Sequence, residues 1–117
     1  MRIRSDKHLQ FIRGLPCIRC ANPTATEAAH IRFADARIAK PICGQHKADD
    51  CYVLPLCSRC HRLAPDSQHT VGETILWASC GDPIIVIAWA LKLYAFSGNH
   101  EEGERTVRAA HETMSLE

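Results

Sequence analysis

Leu56-Cys57-Ser58-Arg59-Cys60-His61 is the stretch on which the reading of this chain turns: two cysteines separated by two residues, then a histidine. A second such pair, Cys17-Ile18-Arg19-Cys20, lies upstream, with 36 residues between Cys20 and Cys57. A spacing of two lets both sulfurs of a pair point at one ion, so Cys17, Cys20, Cys57 and Cys60 fit a closed, tetrahedral structural zinc site. The long gap must house other structure, and in it stands Glu27-Ala28-Ala29-His30-Ile31. A neutral imidazole titrates near working pH and can take a proton from water, which makes His30 a candidate general base. His61 and His69 are candidate imidazole ligands of a separate divalent cation that would polarise a phosphate.

The chain has 117 residues, enough for one domain with a modest core and a metal staple. Net charge is only +1, but residues 1–62 carry 11 Lys/Arg against 5 Asp/Glu, and residues 63–117 carry 3 against 8. The half with the cysteine pairs is therefore the half suited to a polyanion such as DNA. Seven cysteines, four of them in these pairs, argue for metal thiolates in a reducing compartment rather than for disulfides. Cys43, Cys51 and Cys80 read as ordinary thiols. The charged N-terminus lacks the apolar segment of a signal peptide, and the apolar run 84–96 is too short to span a bilayer. A cytoplasmic protein without a membrane partner is expected.

Along the chain, residues 1–14 suggest a short basic helix ending at Gly14. Thr26–Phe33 reads as a strand with His30 and Arg32 on one face. Residues 34–50 read as a long basic loop carrying Arg37 and Lys40. Cys51–Leu56 reads as a second strand, with Pro55 at its end or on an edge. Pro65 should interrupt the helix after the knuckle, and a fresh turn from Asp66 should run through Gly72 to Trp77. Asp82-Pro83 is a helix start, with a capping acid before a proline at the first position. The helix 84–96 that follows is apolar almost all round, so it belongs in the core or against a second subunit. A last helix opens at Asn99, with Val107, Ala110 and Met114 as its inner stripe. The expected class is α+β, one domain over 1–117: a zinc-stapled core over 1–80, with a C-terminal helical part over 81–117 packed on it.

The ordered set of motifs resembles the HNH (ββα-metal, His-Me finger) endonucleases that carry a structural zinc. More narrowly, SDKHLQFIRGLPC (5–17), EAAHIR (27–32), KADDCYVLPLC (47–57), CHRLAPDSQH (60–69) and LKLYAFSGNHEEGE (91–104) resemble the YbcO-like phage and prophage nucleases. The resemblance covers nearly the whole chain. It implies a β-hairpin and a helix around one divalent metal, Mg²⁺ or a similar ion. It implies His30 as the base that activates water, His61 as a metal ligand and His69 as a second. The activity implied is metal-dependent hydrolysis of DNA phosphodiesters in recombination or processing. Arg32, Arg37, Lys40 and Arg62 would meet the backbone, phage or host recombination proteins are possible partners, and the protein would be a monomer or homodimer. Two departures stand out. Ala29 occupies the place where many such enzymes put Asp or His as a metal ligand, and Glu27, three residues before His30 on a strand, falls on the opposite face. No asparagine matches the one that orients the base, and Asp49 or Asp50 is the nearest carboxylate source. The rival reading is a non-catalytic, zinc-stapled module that binds nucleic acid or a recombination partner, and Ala29 favours it.

Overall fold

The computed structural model describes residues 3–33 and 49–115; Arg37, Lys40 and Cys43 lie outside them. The elements in order are α1 (Asp6–Arg13), β1 (Thr26–His30), β2 (Val53–Cys57), a π-helical turn (Arg59–Leu63), α2 (Gln68–Val71), α3 (Glu73–Ala78), α4 (Pro83–Ala95) and α5 (His100–Ser115). Class α+β holds, with a two-stranded antiparallel sheet as the only sheet among the described residues.

The sheet pairs Thr26 with Cys57 and His30 with Val53, so the two strands run in full register from one knuckle toward the cleft. β1 is shorter than the sequence suggests, although Ile31 N–H still donates to Tyr52 O at 2.8 Å, one step past its end. Pro55 sits mid-strand opposite Ala28 rather than at an end. Its carbonyl accepts Ile18 N–H at 2.9 Å. Backbone N and O of one strand residue point to the same side, so the proline's missing donor faces away from β1 and no ladder bond is lost. That bond also ties the first cysteine knuckle to β2.

Every residue of β2 is buried. Ala29, Ile31, Leu54 and Leu56 join Ile12, Leu15, Trp77, Ile87 and Leu93 in one core. Ser5 caps α1, accepting His8 N–H at 3.2 Å, and Gly14 ends it. Asp82 caps α4 through Ile84 N–H at 2.9 Å, with Pro83 at the first helical position. α4 buries Val86, Ile87, Ala90 and Leu93 in the core, while Ile85, Leu91 and Tyr94 remain exposed. In α5 Val107 and Ala110 are buried, and Met114 packs against the core. Gly103 lets α5 approach α1: a Cβ there would stand 2.5 Å from Phe11 Cζ.

After the second knuckle the chain does what its prolines and glycines require. Ala64, the residue before Pro65, is extended (φ −75°, ψ 155°) and ends the π-helical turn. The continuous run expected from Asp66 to Trp77 is instead two short helices, broken at Gly72, whose φ of +92° and ψ of 151° an L side chain rarely adopts. No helix among the described residues is long and apolar enough to cross a membrane.

Candidate metal centre and histidine cleft

The sulfurs of Cys17, Cys20, Cys57 and Cys60 all lie within 4.8 Å of one another. Zn–S bonds of about 2.3 Å in a tetrahedron imply S···S edges of about 3.8 Å; Cys20 Sγ and Cys57 Sγ stand 3.6 Å apart, and neither is in a disulfide. Three of the four cysteines are buried and Cys20 is exposed. Burial pushes the Cys17 thiol up to about 11 and Cys60 higher still, whereas Cys57, despite its burial, is drawn down by the Cys60 backbone N–H and by its cysteine neighbours. Four crowded sulfurs cannot all ionise without a cation, and a divalent cation is what a closed thiolate set selects. The cluster therefore suits a metal ion such as zinc. Arg19 supplies a further positive charge beside Cys60, and it donates to Asp66 Oδ2 at 2.8 Å.

On the other face of β1 lies an open cleft of about 660 Å³, lined by His30, Arg32, His61, Gln68, His69 and Glu73, with Ala28 on its floor. Strand alternation puts Ala28, His30 and Arg32 on this side and Ala29 in the core, fully buried. At Ala29 even a longer side chain would point away from the cleft.

His30 is held from behind. Its Nε2 lies 2.8 Å from Asp50 Oδ1, and Asp50 Oδ2 accepts Ser5 N–H at 2.7 Å. A carboxylate only accepts, so Nε2 carries the ring proton and the lone pair on Nδ1 is left to take one from water. Asp50 is 3% exposed. It is fixed by the N-terminal segment: Asp50 N–H donates to Ile3 O at 2.8 Å, and Ile3 N–H donates to Asp49 Oδ1 at 2.9 Å. Sequence reasoning looked to Asp49 or Asp50 for a metal ligand; instead Asp50 grips the imidazole and Asp49 grips the backbone. Asp50 thus fixes the orientation of the His30 ring. Contacts across 45 or more residues leave no local signal.

His61 and His69 meet across the Pro65 break, their ring centroids 4.5 Å apart at 60°. Burial and the neighbouring His61 lower the pKa of His69, which keeps it a neutral, ligand-ready imidazole at neutral pH. His61 Nδ1 donates to Glu27 Oε1 at 2.8 Å, leaving its Nε2 lone pair for an ion. Glu27 is held below the usual carboxylate range by the Arg62 guanidinium and by His61. Sequence reasoning dismissed Glu27 as a direct ligand; its observed place is behind a candidate ligand. Arg62, expected at the DNA backbone, is instead paired with Glu27 at 3.0 Å, though half-exposed. Arg32 does line the cleft, and its backbone N–H donates to both Glu73 carboxylate oxygens at 3.0 and 3.1 Å. Among the described residues no third His, Cys, Asp or Glu stands with His61 and His69 in a ready-made cluster; the four cysteines alone form one. No family model matches the chain, and no curated protein or solved structure matches it significantly.

Proposed function

We propose that the protein is a metal-dependent DNA endonuclease of the HNH type, of phage or prophage kind, acting in recombination or DNA processing, with a zinc ion in the four-cysteine cluster. The observation that carries this reading is the cleft itself. Its lining brings together an imidazole oriented by a buried carboxylate and two adjoining imidazoles.

In this reading His30 Nδ1 takes a proton from water as its oxygen bonds to phosphorus, and the bond to the leaving oxygen breaks. Asp50 holds the ring in the tautomer that permits this. His61 and His69 would hold the divalent ion, with Glu27 fixing the His61 ring from behind. When bound, such an ion supplies charge stabilisation to the phosphate and the leaving oxygen. Arg32, together with Arg37 and Lys40, would hold the DNA backbone without reading sequence. The zinc cluster would anchor the strand pair to the histidine-bearing turn.

What favours the rival reading, a non-catalytic module that binds nucleic acid or a recombination partner, is that among the described residues no third His, Cys, Asp or Glu stands with His61 and His69. Incubation of zinc-loaded protein with supercoiled plasmid in Mg²⁺ or Mn²⁺, beside His30→Ala, separates the two. The enzyme reading predicts nicking by the wild type that His30→Ala reduces by about 10²-fold or more. Equal nicking by both proteins, or none under any metal, would refute it.

A further inference from the structure

The cleft has an unsolved shortage. Two imidazoles alone hold a hard divalent ion poorly, since such ions prefer oxygen. The nearby carboxylates are already engaged: Glu27 with His61 and Arg62, Asp50 with His30 and Ser5, Glu73 with the Arg32 backbone. None of them stands in a three-ligand group with His61 and His69. Gln68 is different. It is the residue before His69 at the start of α2 and lines the same cleft. It is 7% exposed, and its Oε1 is shut from solvent with no hydrogen-bond partner. A buried amide oxygen without a partner is destabilising and calls for an explanation such as a bound ion. The terminal torsion of glutamine is broad, so the amide can turn to meet an ion without leaving a rotamer well.

We propose that Gln68 supplies the oxygen ligand that no nearby carboxylate is free to give, completing with His61 and His69 a site for a divalent cation such as Mn²⁺ or Mg²⁺. The proposal rests on the reading of His61 and His69 as an ion site, and its test separates the two. Mn²⁺ is titrated calorimetrically into zinc-loaded wild type, Gln68→Ala, Gln68→Glu and His61→Ala, with zinc content and thermal midpoint recorded for each. Gln68→Ala is expected to weaken Mn²⁺ binding about tenfold or more with zinc content and midpoint unchanged. Gln68→Glu, which restores an oxygen donor, is expected to recover wild-type affinity or better. If Gln68→Ala binds Mn²⁺ within twofold of wild type while His61→Ala loses it, the role of Gln68 is overturned and the histidine pair survives. A lowered midpoint in Gln68→Ala with no recovery in Gln68→Glu also overturns it, since that is the mark of a packing role. Binding unaffected by His61→Ala, or absent in wild type, overturns both.

Discussion

Replacing Asp50 by asparagine changes one atom behind the cleft and tests the arrangement that holds His30. Ser5 N–H can only donate, so the asparagine must turn its oxygen to it, occupying the place of Oδ2 at 2.7 Å. Its NH₂ then faces His30 Nε2, where Oδ1 stood at 2.8 Å. Two donors cannot share that contact, so the ring must move its proton to Nδ1 and offer Nε2 as an acceptor. Nδ1 then has no lone pair for a water proton. In stability the exchange trades charge-assisted bonds for neutral ones, a loss of about 1 kcal/mol. In rate it removes general-base catalysis, a loss of about 10²–10⁴. Asp50→Ala, by contrast, leaves two part-buried donors without their acceptor and should cost about 1–3 kcal/mol. Urea unfolding of the zinc-loaded proteins gives the first quantity, and the rate of plasmid nicking in Mn²⁺ gives the second. An Asp50→Asn protein that nicks at the wild-type rate would refute the tautomer argument. One that unfolds several kcal/mol more easily would show that Asp50 acts mainly by holding the N-terminal segment.

Other consequences follow from single residues. Gly72→Ala meets no neighbouring atom within 4 Å, so its cost is backbone strain alone, about 1–3 kcal/mol by urea unfolding, with weaker nicking because the α2–α3 junction carries His69. His8 is buried on α1, its Nδ1 2.8 Å from Ser97 Oγ, and burial lowers its pKa from 6.5 although Asp50 pulls the other way. A histidine whose folded pKa is depressed contributes stability that is present above the unfolded pKa and lost as pH falls below it toward the folded value. Thermal midpoints should therefore fall from pH 6.5 downward, and His8→Gln should flatten that fall; a parallel fall in both proteins would contradict this.

Local rules made much of this chain legible. Gly14 ends α1, Asp82-Pro83 starts α4, and the doubled cysteine spacing foretells the sulfur cluster, because each is a signal carried by neighbouring residues. The convergence of His61 and His69 was only a hypothesis on paper, since an unbroken helix would leave positions eight apart about 80° from one another. Pro65 decides it by breaking the path between them into a π-helical turn and a separate short helix. The groups behind the histidines were misread for a different reason. Glu27 and Asp50 act through contacts spanning 34 and 20 residues, and periodicity is silent about such pairs. The ion pair of Arg62 with Glu27 is hidden in the same way, because sequence shows charge but not its partner.

The account assigns the cysteines of Leu56–His61 and its histidine to two different ions. Zinc content, Mn²⁺ affinity and plasmid nicking, measured together on wild type, Cys60→Ser and His61→Ala, test that division most directly. It predicts that Cys60→Ser loses its zinc and its cooperative unfolding. His61→Ala should keep one zinc and a native unfolding transition while losing Mn²⁺ binding and nicking. Zinc lost from His61→Ala, or retained in full by Cys60→Ser, would contradict it.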